Sequence, residues 1–409
     1  MPILSEAQRQ QRRSLCENER TRRLRVLIVT HYFSGKGGGI ESVAHALARR
    51  FAATCDVRWA AIDNGDGVPA DISVQPLRGS NLVERIFWVP FPILSPLSLL
   101  RLRHSVRWAD VIQIHDSLYT TSQAAFLLAG IHRKPTVLTQ HVGEIPYCSW
   151  LLSVCARLAN EVVGGFVLRK ASEVVFISYV VQQHFQRALG RRAARIIYNG
   201  VNGKVFYAQA YADRMMMRES RGLSGDEKIA LFVGRFVEKK GLHKLRGLAA
   251  DTPAVTWICI GRGPLDPRTW NAPNVRVFDH MPAAELAKWY NAADLLVLPS
   301  VGEGFPLVVQ EALACGLPCL VSEEIRMACP EAAHLMISAG PSGEYVGRAF
   351  ANVLECARAG ARERQIRAKQ AHALWDWDKS AEAYLRIFHS RCHKQPERSE
   401  VLGPSYAKA

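Results

Sequence analysis

Short runs of β-branched and other apolar residues alternate with longer amphipathic stretches along most of this chain. The runs of the first half are residues 25–30, 57–62, 110–115, 135–141 and 173–178. After the turn-forming stretch Asn-Gly-Val-Asn at residues 199–202, the second series consists of residues 228–234, 255–261, 275–280, 294–300 and 317–322. Strands separated by helices in this rhythm are typical of parallel βα units. The pattern therefore predicts an α/β protein with two Rossmann-like parallel sheets.

The 409 residues of the chain are enough for two such domains, since single cores stop growing at about 250–300 residues. We expect an N-terminal domain over residues 23–198, a C-terminal domain over 199–376, and a helix at 377–392 that packs back on the N-terminal domain. Residues 1–22 and 393–409 are expected to form a disordered basic arm and a disordered tail. Open parallel sheets bind ligands outside the carboxyl ends of their strands, so two facing sheets predict a functional cleft between the domains.

Positive charge is concentrated in the first half of the chain. The net charge is +15, and residues 1–200 hold 25 lysines and arginines against 14 aspartates and glutamates. Such a surface attracts nucleic acid, anionic lipid or phosphorylated substrates. Zinc-finger spacing, an aromatic ribonucleoprotein signature and a basic helix followed by heptads are all missing from the sequence, so no nucleic-acid partner is expected.

The ten cysteines are scattered through apolar segments and are interpreted as reduced and buried. Cys315 and Cys319 do not have the spacing of a CxxC pair, so packing is favoured over a metal or redox role. The N-terminus has no apolar segment of signal-peptide length, and no run of eighteen uncharged apolar residues occurs. The sequence therefore predicts a cytoplasmic protein.

The first segment with candidate functional residues follows the first predicted strand. Glycines at positions 37, 38 and 39 precede a helix that begins near Ile40. Glycine lets the backbone approach a ligand, and the free N–H groups of a helix start can hold a phosphate; a tight turn alone is the alternative. The segment is neither GxGxxG nor a loop ending in GK[ST], which disfavours a dehydrogenase or a kinase. Gly38 and Gly39 are therefore candidate phosphate-binding residues.

The second segment follows the first strand of the second domain and contains Gly234, Arg235 and Lys240. A guanidinium can grip a diphosphate with two hydrogen bonds, and an ammonium can act as a point charge. Either cation alone would ordinarily be interpreted as solvated surface charge. Their position at the carboxyl end of a strand favours a diphosphate site.

The third segment carries two glutamates around a predicted helix start. Pro306 favours a helix start and Gly316 favours its end. Glu303 lies in the preceding loop, where it could bind sugar hydroxyls, and Glu311 lies inside the helix, where it could bind ribose hydroxyls. A carboxylate among apolar neighbours needs a partner, which disfavours a merely solvated Glu311. The other candidate ligand-binding residues of this segment are Phe305, Pro306, Leu307 and Val308.

Together these segments resemble the family 4 retaining glycosyltransferases of GT-B architecture over residues 24–390. The Glu-x7-Glu motif of that family is matched by Glu303 and Glu311, and its two diphosphate-binding cations by Arg235 and Lys240, with Lys239 as a substitute. The histidine at the end of an N-terminal strand is matched by His141, the glycine loop by residues 38–41, and the interdomain linker by residues 198–201. The prolines usual before that loop are replaced by Phe-Ser-Gly-Lys at residues 33–36.

The resemblance implies transfer of a sugar from a nucleotide diphosphosugar to an acceptor hydroxyl, with retention at the anomeric carbon and without a metal or other cofactor. Arg235 and Lys240 would neutralise the leaving diphosphate, Glu303 and His141 would position the sugar, and Glu311 would hold the ribose. The acceptor would be a glycan or a lipid-linked intermediate in cell-surface polysaccharide synthesis. A nucleotide-sugar epimerase or hydrolase of the same architecture, and a non-catalytic partner subunit, remain alternatives.

Three further polar residues follow strands of the first domain and are candidates for the acceptor side: His31, His115 and Asp116. The alternative for each of the three is a structural or solvated role, which is the more common role of a lone histidine.

A segment at residues 87–100 combines aromatic and aliphatic residues and is followed by Arg101, Arg103 and Arg107. Such a combination suits an anionic membrane surface, because apolar groups enter the interface while cations meet the headgroups. A buried crossover within the N-terminal domain is the alternative. If the segment docks, the protein is peripheral on the inner face of the cytoplasmic membrane.

Overall fold

The computed structural model describes residues 22–36, 38–80, 93–143, 160–338, 350 and 360–392. The predicted basic arm, apart from Arg22, and the predicted tail lie outside the described residues. The same holds for residues 87–92 of the segment considered for membrane docking.

The N-terminal half forms a parallel sheet and a small antiparallel pair. Its strands are β1 (Leu24–Tyr32), β2 (Cys55–Ile62), β3 (Ser73–Leu77), β4 (Gly79–Ser80), β5 (Ile93–Leu94), β6 (Val111–His115), β7 (Thr136–Gln140), β8 (Glu173–Phe176) and β9 (Arg195–Ile196). The main sheet has the order β3-β2-β1-β6-β7-β8-β9, and β4 pairs with β5. Because the order reverses between β1 and β6, a crevice opens at their carboxyl ends.

Helices cover both faces of this sheet. They are α1 (Gly39–Phe51), α2 (Pro96–Trp108), α3 (Thr120–Ile131), α4 (Gly165–Lys170), α5 (Tyr179–His184) and α6 (Gln186–Leu189), with a π-helical turn at Asn160–Gly164 before α4. Helix α1 packs on one face of the sheet, and α2 to α6 contribute to a separate cluster on the other.

The C-terminal half forms a second parallel sheet. Its strands are β10 (Lys228–Val233), β11 (Val255–Ile260), β12 (Val275–Phe278), β13 (Leu295–Leu298), β14 (Cys319–Val321) and β15 (Met336–Ser338). The order β12-β11-β10-β13-β14-β15 reverses between β10 and β13. The helices of this half are α7 (Tyr211–Glu219), α8 (Leu242–Asp251), α9 (Ala283–Ala292), α10 (Leu307–Ala314), α11 (Glu323–Met327), α12 (Ala361–Leu374) and α13 (Trp377–Cys392). Short 3-10 helices occur at Glu238–Lys240, Pro267–Trp270 and Pro330–Leu335 in this half and at Ser34–Lys36 in the N-terminal half.

The predicted fold class is confirmed, and each of the ten predicted strands is present. The strands that were not predicted are short or lie at sheet edges. Strand β3 contains Pro76, which a sheet tolerates at an edge because proline donates no ladder hydrogen bond. Strands β9 and β15 have two and three residues, too few to show a period.

Burial of the cysteines is confirmed for most of those described. Cys55, Cys259, Cys315, Cys319 and Cys329 are buried free thiols, and burial raises the pKa of each. Helices long and apolar enough to cross a bilayer are not found among the described residues.

The chain crosses between the two halves twice, and the crossings lie side by side. The backbone N–H of Val201 donates to the carbonyl of Trp375 at 3.1 Å, and the Ser380 hydroxyl donates to the carbonyl of Tyr198 at 2.8 Å. A Cβ atom at Gly200 would lie 2.2 Å from the backbone nitrogen of Trp377. Only glycine fits there without displacing one crossing from the other.

After the second crossing, α13 packs on the N-terminal half. The Phe388 ring meets Phe51 of α1 edge-on at 5.2 Å, and the Thr139 hydroxyl of β7 hydrogen-bonds the Tyr384 hydroxyl at 3.1 Å. Arg391 forms an ion pair with Glu173 of β8. The last helix thus belongs to the N-terminal core although it follows the C-terminal sheet in the chain.

Replacing Gly200 with alanine should destabilise the protein, because the added methyl group overlaps the backbone of the second crossing. Overpacking of this kind costs about 1–3 kcal/mol. A matched control is Gly130→Ala in α3, where an added Cβ meets no atom within 4 Å and the helical backbone favours alanine. Thermal melting of the full chain should show a lower Tm for Gly200→Ala and an unchanged or higher one for Gly130→Ala. Equal melting of the two variants would contradict the close crossing.

Candidate functional site

The loop after β13 is shaped by hydrogen bonds to its backbone. Val301 donates its N–H to the carbonyl of Lys239 at 2.9 Å. Gly302, at φ +66°, and Glu303 donate theirs to the two carboxylate oxygens of Glu324 at 3.0 and 3.2 Å. Burial raises the pKa of Glu324, and these backbone donors oppose the rise. The loop is therefore held from both sides, and the backbone position of Glu303 is defined.

The Glu303 carboxylate pairs with the two lysines that follow β10. Its Oε1 lies 3.0 Å from Nζ of Lys240 and 3.4 Å from Nζ of Lys239. Lys240 is buried; burial lowers the pKa of Lys240, whereas the attraction of Glu303 opposes that change. Gly241, at φ +74°, follows the lysines, and a Cβ there would lie 2.7 Å from the carbonyl oxygen of Pro299. This close approach brings the two loops together.

Arg235, like the two lysines, follows the carboxyl end of β10, but its side chain is exposed. It follows Gly234, whose φ is +155°, and a Cβ at Gly261 would lie 1.9 Å from the carbonyl oxygen of Gly234. Burial raises the pKa of Glu41 in the N-terminal half, and the charge of Arg235 is one of the influences that oppose this rise. Arg235 and Lys240 thus lie on one sheet edge, the first open to a ligand and the second enclosed.

Glu311 lies on α10, which begins after Pro306 and is followed by Gly316 at φ +72°. Its Oε2 accepts a hydrogen bond from the Tyr290 hydroxyl at 3.0 Å. Burial raises the pKa of Glu311 to about 7, and the bond from Tyr290 opposes the rise. The carboxylate is thus close to half-protonated at neutral pH and has one hydrogen-bond donor already in place.

The residues at the start of α10 mainly pack. Phe305 is buried, with its ring 5.3 Å from that of Trp375 and 6.4 Å from that of Tyr198. Leu307 packs against the N-terminal cluster and Val308 against the C-terminal one, and both are half-buried. These contacts orient the helix start; a direct role of Phe305, Pro306, Leu307 and Val308 in ligand binding stays a prediction.

Two histidines form the N-terminal wall. Nδ1 of His115, at the end of β6, lies 2.8 Å from Nε2 of His141, which follows β7, and their rings stack at 5.0 Å. Burial lowers the pKa of His115 to about 3 and holds the pKa of His141 well below its usual value. Both imidazoles are therefore neutral at physiological pH, and one of the facing nitrogens carries the shared proton.

Asp116 supports this wall from a left-handed backbone conformation at φ +58°. Its Oδ1 accepts the backbone N–H of His141 at 2.7 Å. Burial raises the pKa of Asp116 to about 7, and repulsion from Glu41 adds to the rise. Because it accepts the backbone N–H of His141, Asp116 orients the loop that carries His141.

The N-terminal wall and the loop of the C-terminal half that carries Glu303 meet at Gly304. A Cβ at this position would lie 2.0 Å from the carbonyl oxygen of His141 and 3.0 Å from Cδ1 of Ile177. A second contact between the halves is the hydrogen bond from the N–H of Tyr179 to the carbonyl of Ala328 at 2.9 Å. The structure thus brings Glu303 and its lysines next to the histidine wall.

His31 lies near the end of β1, next to the strand that carries His115. Its ring stacks on Tyr119 at 4.6 Å and 12°, and burial lowers its pKa to about 4. Within the described residues neither ring nitrogen has a hydrogen-bond partner. A buried imidazole with two unsatisfied nitrogens suits a ligand hydroxyl, so His31 keeps its candidacy for the acceptor side.

The glycine loop is occupied by a carboxylate of the chain itself. Gly38 precedes α1, and a Cβ there would lie 1.9 Å from Oε2 of Glu41. Burial raises the pKa of Glu41, while hydrogen bonds from its own backbone and that of Tyr32, and the charge of Arg235, oppose the rise. Around Gly39 an added Cβ would meet no atom within 4 Å. A phosphate at this helix start would share its space with Glu41, so the role of both glycines stays a prediction.

Two residues that contact groups of the candidate site, Tyr290 and Glu324, were not singled out from the sequence, and Glu41 was noted only as the last residue of the glycine-loop match at residues 38–41. Glu41 had a local signal, since a glutamate three residues after a helix cap matches the capping-box spacing. Tyr290 and Glu324 had none, because each lies 21 residues or more from the group it positions. Clusters of three or more side chains able to hold a metal ion are not found in the part of the chain that the structure describes.

Comparison with known proteins matches both halves to one class of enzymes. The family described as "Glycosyltransferase Family 4" matches residues 37–204, and the one described as "Glycosyl transferases group 1" matches residues 227–348. A curated relative, the putative teichuronic acid biosynthesis glycosyltransferase TuaC of Bacillus subtilis, is 26% identical over 219 residues, which are 53% of this chain and 54% of TuaC. The chain spans about half the length of the curated relatives it matches.

Solved structures support the same fold. The sucrose-phosphate synthase of Thermosynechococcus elongatus superposes with a TM-score of 0.70 at 19% identity, over 90% of this chain and 99% of that one. The HepE protein of Anabaena, solved with UDP-glucose, gives a TM-score of 0.64 at 19% identity, over 90% and 100%. With two facing parallel sheets and both halves matched in sequence, the chain belongs to the family 4 glycosyltransferases of GT-B architecture.

Proposed function

We propose that this protein transfers a sugar from a nucleotide diphosphosugar to an acceptor hydroxyl and retains the anomeric configuration. The observation that carries the proposal is the placement of the Lys240–Glu303 ion pair beside the His141 wall by the Gly304 contact. Arg235 follows β10 at the same sheet edge, and Glu311 lies on α10, the helix that follows the Glu303 loop. A diphosphosugar needs cations for its phosphates and hydrogen-bond acceptors for its sugar hydroxyls, and the lysines, Arg235 and the two glutamates are groups of these kinds.

In this proposal the donor lies on the C-terminal half. Glu311 accepts hydrogen bonds from the ribose hydroxyls, and Arg235 and Lys240 bind the diphosphate. Support comes from the fold shared with HepE, whose solved structures contain UDP and UDP-glucose. Lys240 is already buried against Glu303, so an arriving diphosphate would release Glu303 to bind sugar hydroxyls.

The reaction breaks the bond between the anomeric carbon and the diphosphate oxygen, and the electron pair leaves with the diphosphate. Arg235 and Lys240 stabilise the growing negative charge. The acceptor hydroxyl attacks from the same side as the leaving group and passes its proton to the departing phosphate oxygen, so configuration is retained. The two cations supply the neutralisation, and no metal ion or other cofactor is part of the proposal.

The N-terminal half serves the sugar and the acceptor. The neutral His141 imidazole can exchange hydrogen bonds with a sugar hydroxyl without adding charge. His31, His115 and Asp116 are candidates for contacts with the acceptor, which we propose to be a glycan or a lipid-linked intermediate in cell-surface polysaccharide synthesis. The printed name of TuaC, a putative teichuronic acid biosynthesis enzyme, supports that class.

Removing either diphosphate-binding cation should slow sugar transfer strongly. Arg235→Ala and Lys240→Ala should each lower kcat by about 10²–10³, the usual cost of losing one group that stabilises transition-state charge. Steady-state turnover of the nucleotide sugar measures the effect. Arg386→Ala, which removes an exposed arginine paired with Glu382 on α13, is the matched control and should keep full activity. Near-normal rates in both cation variants would rule out the proposed diphosphate site.

Donor affinity should rise with pH through the pKa of Glu311. Burial raises that pKa to about 7, and only the ionised carboxylate accepts two ribose hydroxyls well. Going from pH 8 to pH 6 should therefore weaken binding by up to about tenfold, while higher pH should add little. Calorimetric titration with an intact nucleotide sugar is suitable, because its diphosphate stays ionised over this range. UDP-, GDP- and ADP-sugars are first ranked by the Tm increase each produces.

The matched variants for this titration are Glu311→Gln and Glu382→Gln. Glu311→Gln should bind more weakly and lose the pH dependence, whereas Glu382→Gln, at an exposed carboxylate of α13, should behave as the parent protein. An unchanged pH profile in Glu311→Gln would assign the titration to another group and remove Glu311 from the ribose site.

The products distinguish transfer from the alternative reactions. Proton NMR of the product should show the donor's anomeric configuration, and product should form only when acceptor is added. An epimerised nucleotide sugar or free sugar that accumulates without acceptor at the full rate would instead support an epimerase or a hydrolase. Tight donor binding without any turnover would support a non-catalytic subunit.

A further inference from the structure

The outer face of the helices α2, α3 and α4, together with the turn before α4, exposes large apolar side chains. We call this surface the α2–α4 face. Its most exposed apolar residues are Leu97 (57%), Leu100 (61%), Leu127 (60%), Ile131 (70%), Val162 (66%) and Phe166 (49%). Isolated exposed apolar residues are ordinary, but a group of six on adjoining helices indicates a surface that binds something.

The exposure follows from the helical period. Helix α2 buries Leu102 and Val106, which turns Leu97 and Leu100 to the opposite side. On α3, Leu127 and Ile131 are four residues apart and share one stripe, and Val162 and Phe166 have the same spacing. Each element therefore has one apolar side in the core and a second one in solvent.

The elements of this face adjoin one another. The ring of Phe126 on α3 meets that of Phe166 on α4 edge-on at 6.1 Å. Nε of Arg103 on α2 donates to Nε2 of His132, directly after α3, at 3.2 Å. The exposed apolar residues thus belong to one connected surface and not to three separate ones.

The charge around these residues is nearly all positive. The cations of residues 96–108, 120–134 and 160–170 are Arg101, Arg103, Arg107, Arg133, Lys134, Arg169 and Lys170. The same three stretches contain a single acidic residue, Glu161. On the C-terminal half, exposed apolar residues such as Met216, Leu265 and Ile366 lie on separate elements.

We propose that the α2–α4 face docks on the surface of an anionic lipid bilayer. Leucine, isoleucine and phenylalanine side chains enter the interface between headgroups and acyl chains, and the arginines and lysines pair with anionic headgroups. Part of the segment at residues 87–100 joins this face: Leu97 and Leu100 are exposed, whereas Leu94 is half-buried and packs on the core. Residues 87–92 lie outside the described part of the chain. The proposal is independent of sugar transfer, since it concerns binding alone.

Co-sedimentation of the full chain with vesicles tests the proposal. One set of vesicles is pure phosphatidylcholine, and the other mixes phosphatidylcholine with phosphatidylglycerol. The protein should sediment with the mixed vesicles, remain in solution with the pure ones, and be released by high salt. An absence of sedimentation with the mixed vesicles at low salt overturns the proposal.

Paired variants separate the apolar and the charged contributions. Leu127→Gln combined with Ile131→Gln should weaken binding by at least about tenfold, because the residues that enter the interface are lost. Arg101→Gln combined with Arg107→Gln should weaken it by about fivefold per arginine removed. Ile366→Gln, an exposed apolar residue of α12, and Arg386→Gln are the matched controls and should bind as the parent protein.

All positions chosen are exposed, and unchanged Tm values verify that the variants are folded; Leu100→Gln replaces any that is not. Equal loss of binding in the Ile366→Gln or Arg386→Gln control would show non-specific adsorption and overturn the proposal. Sedimentation-velocity measurements address a second copy of the chain as the partner. A dimer that the Leu127→Gln/Ile131→Gln variant converts to monomer would assign this face to self-association instead.

Discussion

The contact between the backbone of Gly304 and the carbonyl of His141 determines how the two halves face each other. A Cβ atom at residue 304 would lie 2.0 Å from that oxygen, so any larger residue would push the walls apart. Glu303 directly precedes the contact, and Glu324 holds its backbone. The separation between the carboxylate and the histidine pair is therefore set by main-chain packing, which is stiffer than any contact between long side chains.

The buried ionisable groups of the cleft have partners within the protein. Lys240 lies against Glu303, Glu311 accepts from Tyr290, and Asp116 accepts from the backbone of His141. A buried charge without a partner is costly, which explains why each carries one. A ligand that enters such a site exchanges partners instead of meeting bare charges, so binding and rearrangement of these pairs are coupled.

The N-terminal half has different surfaces on the two faces of its sheet. One face is covered by α1 and by α13, which returns from the far end of the chain, and the aromatic contact between Phe51 and Phe388 closes it. The other face is covered by α2 to α6, whose outer side keeps exposed leucines among arginines. Helix α13 stabilises the first face of the sheet. On the second face, the outer side of the covering helices remains available for binding.

Local patterns in the sequence were sufficient to predict most of the strands and to place Glu303 in a loop and Glu311 in the helix that follows it. Both predictions depend on spacing within one segment. The edge strands β3, β9 and β15 were missed, since proline or a length of two or three residues removes the period. Lys240, Arg235 and the two glutamates were recognised as candidates one segment at a time. Their partners Tyr290 and Glu324 could not be recognised, because each acts through a contact with a residue 21 or more positions away that only folding creates.

The sequence by itself determined the α/β class, the two series of strands and the residue types that follow each strand, because these properties are local along the chain. Tertiary structure decided which of those residues meet. It enclosed Lys240 with Glu303 while leaving Arg235 exposed, and it stacked His115 on His141. These outcomes depend on distances between strand ends that lie far apart in sequence, and such distances are set by packing of the whole sheet, not by any single segment.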